Sequence, residues 1–253
     1  MRIAVVTGAS SGMGRCFVND IDKEKALDEI WVIARRYDKL CEICGTTRAK
    51  IRPIALDLID DESIERYKAM LDSEKADVSV LVNAGGYGIF HKFADTKESD
   101  IGGMIDLNAK ALAMISYATL PYMKRGGEIY QLGSLSSFQP VPGMPVYAAT
   151  KAFVLSLSRA MNVELKDRGI RVIAVCPGWI KTEFFERAMD DDTISYFNRF
   201  YLPEEVTKKA IRDMKKGKDV SVLGFPVRAQ VLAVKLLPHR LIMKIWCNQQ
   251  KLK

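Results

Sequence analysis

Short runs of Val, Ile and Leu alternate along the chain with longer stretches whose apolar residues recur every three or four positions. Seven of the short runs read as strands: 3–7, 30–34, 51–56, 78–83, 128–132, 172–176 and 220–223. Their apolar residues are continuous rather than alternating, the pattern of strands buried on both faces. The stretches between them predict helices over 12–22, 39–44, 61–73, 101–123, 147–166 and 204–216. Such alternation gives an α/β fold: a Rossmann-type doubly wound parallel sheet of about seven strands, with right-handed crossovers and helices on both faces. No Pro/Gly/Ser-rich linker divides the chain, so residues 1–253 read as one domain. Ligands of such sheets bind beyond the carboxyl ends of the strands, and candidate chemistry is sought there.

Composition narrows the classes. At 253 residues and 48% hydrophobic, the chain can bury one sizeable core, and 27% charged residues argue against general disorder. The net charge of +7 is unevenly spread. Residues 225–253 hold six basic side chains (Arg228, Lys235, Arg240, Lys244, Lys251 and Lys253) and no acid, while the remainder has 32 Lys/Arg against 31 Asp/Glu. A nearly neutral body argues against nucleic-acid binding and moves the question of partners to the tail. With only His91 and His239, a His-rich metal site or a Ser-His-Asp hydrolase lacks its parts, and no metal is expected. Five cysteines, an odd number, fit free thiols in a reducing compartment, and Cys41 and Cys44 read as helix-packing residues. Only four apolar residues precede the first Gly/Ser run, and no apolar stretch approaches the ~20 residues of a membrane span. The sequence therefore predicts a cytoplasmic protein.

The first predicted strand ends in Thr7-Gly8-Ala9-Ser10-Ser11-Gly12-Met13-Gly14, and a helix follows. Glycines permit the tight turn and close backbone approach, and the free N–H groups of the helix start attract a pyrophosphate. Gly8, Ser10, Ser11, Gly12, Met13 and Gly14 are thus candidate cofactor contacts. After the second strand come Arg35 and Arg36, where an NAD site would place an acid to hold the ribose 2′-OH. Guanidinium pairs with phosphate, so the expected cofactor is NADP(H), although Asp38 lies close by. Asp57 and Leu58 end the third strand, where an adenine contact is expected. Tyr147 and Lys151 are four apart at the start of a helix, hence on one face. Lowering a tyrosine from its ordinary value near 10 to ~7 takes about 4 kcal/mol of phenolate stabilisation, for which a nearby ammonium together with a cationic oxidised nicotinamide is the right kind of source. Ser134 follows the fifth strand and could reach the same crevice, and Asn108 could break the long helix 101–123 locally.

Taken together, these motifs resemble the short-chain dehydrogenase/reductase family over about residues 1–225. They are the Thr7–Gly14 loop, Asn108, Ser134, Tyr147-x-x-x-Lys151 and Pro177-Gly178-x-x-x-Thr182. The resemblance implies a dehydrogenase acting on CH–OH groups, with Tyr147 as general acid/base and Lys151 lowering its pKa while holding the nicotinamide ribose. It also implies that Ser134 hydrogen-bonds the substrate oxygen and that Asn108 supports a water in a proton relay. Pro177, Gly178, Ile180 and Thr182 would frame the nicotinamide, and Asn83, Ala84 and Gly85 would contact the adenosine ribose. Ala84 stands where the family usually has a second Asn. A homodimer or homotetramer is implied as well. The competing class is a non-catalytic NADP(H)-binding sensor or scaffold with the same fold.

The segment 183–202 is dense in aromatics (Phe184, Phe185, Tyr196, Phe197, Phe200 and Tyr201, with Met189) and is expected to close over a bulky apolar carbonyl or alcohol, steroid-like, aromatic or acyl. Those aromatics could instead pack the loop onto the body or another subunit. In the tail, Pro238 separates two helices predicted over 227–237 and 239–250. Leu241, Ile242, Ile245 and Trp246 share a face of the second, with Arg240, Lys244 and Asn248 largely opposite. Such a segment could cover the cleft, form a subunit seam, or bind a membrane surface or acidic carrier.

Overall fold

A computed structural model describes residues 1–189 and 191–252. Lys253, the last basic residue of the tail, and Asp190, within the 183–202 segment, lie outside the described residues. The central sheet has seven parallel strands in the order β3-β2-β1-β4-β5-β6-β9. These are β1 (Arg2–Thr7), β2 (Glu29–Ala34), β3 (Lys50–Ala55), β4 (Asp77–Asn83), β5 (Glu128–Leu132), β6 (Arg171–Val175) and β9 (Val220–Ser221). A separate parallel pair, β7 (Trp179–Ile180) and β8 (Phe200–Tyr201), was not foreseen, being too short to show a period. The register runs Val5↔Trp31 on one side of β1 and Val5↔Leu81 on the other. The strand order reverses beside β1, so a crevice opens where the chain leaves β1 and β4 for opposite sides.

Successive strand residues point to opposite faces, and two cores result. Ala4, Val6, Val32 and Val82 pack on one side with Phe17 and Ile21 of α1 (Gly12–Glu24) and with Ala210 and Met214 of α8 (Pro203–Lys215). Ile3, Val5, Trp31 and Leu81 pack on the other with Ile64 and Tyr67 of α3 (Asp61–Ser73) and Ile115 of α5 (Leu112–Thr119). The sheet is therefore covered on both faces, as its continuous apolar strands require.

Three departures from the sequence reading have local causes. The helix after β2, α2, covers only Tyr37–Cys41, which leaves Cys44 exposed beyond its end; Cys41 and Cys44 are free thiols and do not both pack a helix. The long helix over 101–123 is interrupted: α4 (Glu98–Ile105) leads into a π-helical turn at Asp106–Ala111, then α5 and a 3₁₀ turn at Leu120–Tyr122. Asn108, expected to disturb it, sits in that turn, fully buried. The third departure is α6 (Pro145–Glu164), which starts two residues early because Pro145 occupies its first turn, where no N–H is missed. Downstream of α6, α7 (Phe184–Ala188) lies in the aromatic segment, and α9 (Phe225–Leu236) and α10 (His239–Gln250) form the tail, divided at Pro238.

Candidate active site

A cavity of about 930 Å³ lies over the carboxyl ends of the strands. At one end is the β1–α1 loop. Gly8 has φ +65°, and a Cβ there would stand 2.6 Å from the backbone of Ala84 and Gly85, so only glycine lets the β1 and β4 loops meet. Gly8, Ser10, Ser11, Gly12, Met13 and Gly14 all line the cavity, as do Arg35, Arg36, Asp57, Leu58, Ala84 and Gly85. The Arg36 guanidinium donates to Ser10 Oγ (3.3 Å), Ser11 Oγ (3.4 Å) and Glu183 Oε2 (3.1 Å). Arg35 reaches Asp57 only at 3.9 Å. Both arginines are half-exposed, so these pairs contribute little and leave the guanidinium groups available. A bare glycine cradle at a helix start with a guanidinium beside it fits a phosphorylated dinucleotide.

Asn83 does not share this position. Its side chain is buried under the sheet, where Nδ2 donates to Ser116 Oγ (3.0 Å) and Gln131 Oε1 (2.9 Å). Being the last residue of β4, it points its side chain toward α5 rather than into the crevice, and only the next residues, Ala84 and Gly85, line the cavity.

At the other end of the cavity, α6 presents Tyr147 and Lys151 one turn apart, both buried and both lining the cavity. Lys151 Nζ donates to Leu132 O at the end of β5 (2.8 Å) and lies 5.7 Å from the Tyr147 ring centroid. Ser134 caps the 3₁₀ turn Leu135–Phe138, its Oγ accepting from Ser136 N (3.2 Å) while its own N–H donates to Ser137 Oγ (3.1 Å). That leaves the Ser134 hydroxyl proton unspent by the turn, and the Ser134 side chain favours the ionised form of Tyr147. Leu135 N donates to Pro177 O (2.7 Å), tying this turn to the loop after β6. Pro177, Gly178, Ile180 and Thr182 of that loop line the cavity.

The phenol is not made acidic by the groups around it. Burial pushes Tyr147 up to about 12, with Ser134 opposing the shift. Burial likewise pushes Lys151 down to about 8. The ammonium is engaged with the Leu132 carbonyl, and burial is the largest influence on both side chains. The expected lowering of this phenol toward neutrality draws on the positive charge of an oxidised nicotinamide as well as on Lys151.

Asn108 does not line the cavity either. It holds the chain beneath it: Tyr87 N donates to Asn108 Oδ1 (3.0 Å), and Asn108 Nδ2 donates to Tyr87 O (2.8 Å) and Thr150 Oγ1 (3.1 Å). A Cβ on Gly86 would stand 2.8 Å from Asn108 Oδ1 and 3.3 Å from Lys151 Nζ, so glycine lets this segment lie directly against both.

The roof is aromatic. Phe90, which the sequence did not mark, is central: its ring lies 6.0 Å from Tyr147, 5.9 Å from Phe184 and 6.1 Å from Trp179. Phe184, Phe185 and Tyr196 of the expected closing segment line the cavity, whereas Phe197 packs on Trp179 at 4.8 Å. Ile242, Ile245, Trp246 and Gln249 of α10 complete the lining, with Trp246 Nε1 anchored on Pro142 O (2.8 Å). Gln250 fastens the helix end to the segment by accepting from Ser195 N and Tyr196 N and donating to Tyr196 O. Thus the tail covers the cleft; of its anticipated apolar face, Leu241 alone is left outside the lining. Among the described residues no cluster of His, Cys, Asp and Glu is placed to hold a metal ion, and no helix is long and apolar enough to cross a membrane.

Comparison with known proteins agrees with this geometry. The family model described as short chain dehydrogenase matches residues 2–193. An NADP-dependent 3-hydroxy acid dehydrogenase of Schizosaccharomyces pombe is 30% identical over 217 residues, covering 83% of each chain. Sulfoacetaldehyde reductase 2 of Chromohalobacter salexigens is 32% identical over 191 residues, 72% of this chain and 74% of its own. Among solved structures, a short-chain dehydrogenase from Sphingobium yanoikuyae in complex with NADPH superposes with a TM-score of 0.81 at 27% identity, over 96% of this chain and 95% of that one. With its sheet order, glycine loop and Tyr147/Lys151 turn in place, the chain belongs to the short-chain dehydrogenase/reductase family of oxidoreductases.

Proposed function

We propose that the protein is an NADP(H)-dependent oxidoreductase that moves a hydride between the nicotinamide and a carbonyl or secondary alcohol on a bulky apolar substrate. The observation that carries this reading is that one cavity joins the glycine loop and Arg36 to Tyr147, Lys151 and Ser134 under an aromatic roof. The nicotinamide, when bound, supplies or accepts the hydride. Ser134 donates its hydroxyl proton to the substrate oxygen and orients the carbonyl. In reduction, Tyr147 delivers the phenolic proton to that oxygen as the carbon gains the hydride, and it is left as phenolate. In oxidation the phenolate removes the alcohol proton. Lys151, one turn away, stabilises the phenolate in either direction, and Asn108 positions the Gly86–Tyr87 segment against both.

A phenol pushed up to about 12 is fully protonated at neutral pH, so the proton needed in reduction is in place, whereas the strongly basic phenolate needed in oxidation is scarce. Arg36, beside Ser10 and Ser11, is the side chain best placed for a 2′-phosphate, with Arg35 as its neighbour. For assembly we infer a homodimer or homotetramer. The exposed Ile105, Tyr117, Phe153 and Val163 on α4 to α6 offer an apolar surface to a second copy. The test is a panel of ketones and secondary alcohols followed at the nicotinamide absorbance with NADPH and NADH in parallel. Turnover of aromatic or alicyclic ketones with NADPH preferred is expected, and Arg36→Leu should weaken NADPH binding by about 10- to 100-fold while sparing NADH. A clear preference for NADH in the wild type would reject the arginine assignment. Absence of turnover with saturable NADPH binding would favour the sensor class.

A further inference from the structure

The tail has a second face. Val227, Val231 and Val234 of α9 are buried toward the body, yet Phe225, Leu232 and Leu236 are exposed by 75%, 58% and 74%. Positions seven and eleven residues beyond Phe225 return to the same side after about two and three turns, so these three form one outward stripe opposite the packed face. Leu237 ends α9 exposed, and Leu241 and Ile245 of α10 are also exposed; Ile245 lines the cavity as well, which places it at the rim. Six of the 17 large exposed apolar side chains among the described residues lie between 225 and 245. Arg228, Lys235, Arg240 and Lys244 are interleaved with them, and no acidic residue occurs from 225 to the end of the chain.

We propose that the outer face of α9 and α10 seats the protein on an anionic lipid bilayer, with the rim of the cavity turned toward the membrane. A second copy fits this face poorly. An isologous contact would bring Arg228, Lys235, Arg240 and Lys244 of two copies into one seam with no acid in the segment to pair them. A negatively charged lipid surface satisfies both halves of the pattern: apolar side chains enter the headgroup boundary while the basic ones meet phosphates. A single helix could not show this division, because α10 spends its other side on the cavity through Ile242, Trp246 and Gln249. An apolar substrate dissolved in the bilayer would then meet Ile245 and Trp246 before entering. That last step rests on the oxidoreductase reading; the docking itself does not.

The experiment is co-sedimentation of the full chain with vesicles of phosphatidylcholine alone and of phosphatidylcholine containing phosphatidylglycerol. Retention is expected only on the anionic vesicles and should fall as salt is raised. The variant F225S/L232S/L236S should lose it. Arg228→Gln, Arg240→Gln and Lys244→Gln should each lower partitioning about five-fold, and about 100-fold together. None of these six residues lines the cavity, so NADPH-linked turnover of a water-soluble ketone should be unchanged in every variant. Failure to bind anionic vesicles at low salt, equal binding to pure phosphatidylcholine, or retention unaltered by the serine variant would each overturn the proposal. Light scattering on the same variant supplies the other occupant: a drop in subunit number without vesicle binding in the wild type would assign the face to a second copy. Vesicle binding without turnover of any ketone would count against the oxidoreductase reading and leave the docking intact.

Discussion

At the scale of single residues, two buried titratable groups carry the proposed chemistry and oppose each other in stability. Tyr147→Phe removes one oxygen from a packed site and should lower turnover by about 10²- to 10⁴-fold, with NADPH affinity by fluorescence titration unchanged. Because burial holds the phenolic proton, reduction should be flat from pH 6 to 9, whereas oxidation should rise through that range as the phenolate fraction grows. Initial rates in the two directions check this. Lys151 leaves a separate signature. Below pH 8 it is protonated both folded and unfolded. Between about 8, its folded value, and 10.5, its ordinary one, only the unfolded chain keeps the proton. Stability rises with pH wherever the unfolded state binds more protons, so here the strain of the buried ammonium is relieved as pH climbs. Cys176, behind Ser134 and pushed up to about 12, and Tyr147 act the other way above their ordinary values. The clean readout is therefore the wild type measured against Lys151→Met in urea at pH 7 and 10. The wild type should gain up to about 3 kcal/mol relative to the variant.

At the scale of elements, the π-helical turn decides how the site is held. One extra residue per turn swings Asn108 inward to clamp Tyr87 and Thr150, joining the β4 loop to α6. Asn108→Ala would leave the buried Tyr87 N–H and C=O without those partners, costing about 2–4 kcal/mol. Equilibrium denaturation should show that loss, and turnover should fall with it because Gly86 lies against Lys151. The interruption itself was legible from an Asn in an apolar helix, but its form was not: the sequence carries no sign of which backbone groups will need a partner. The core strands were legible to within a residue or two because seven-strand burial demands uninterrupted apolar runs. Only β9 is shorter than its apolar run, since Val222 and Leu223 leave the sheet toward Gly224, whose φ of +88° starts α9.

At the scale of the whole molecule, the tail and the aromatic segment close the same cavity from two directions. Trp246 is the meeting point, its ring lining the cavity and its N–H bound to Pro142 O. Trp246→Ala should raise KM for a bulky ketone by about 10-fold or more through lost apolar contact, and raise KM for NADPH far less. Steady-state kinetics varying each substrate separately distinguish the two. Phe90, on which Tyr147, Trp179, Phe184 and Phe185 converge, is the roof residue with no sequence signal at all. It lies in a loop without period, and its importance comes from neighbours nearly a hundred residues away.

What the sequence determined unaided is whatever depends on local order: strand and helix periods, the glycine turn before a helix, and a Tyr and Lys four residues apart on one face. These are consequences of backbone geometry that repeat wherever the residues occur. Tertiary structure alone decided what depends on distant segments meeting. It turned Asn83 beneath the sheet, engaged Lys151 with Leu132, buried Tyr147 so that its pKa rises, and laid α10 over the cleft. Desolvation and close packing depend on everything around a group, and no window along a chain contains that.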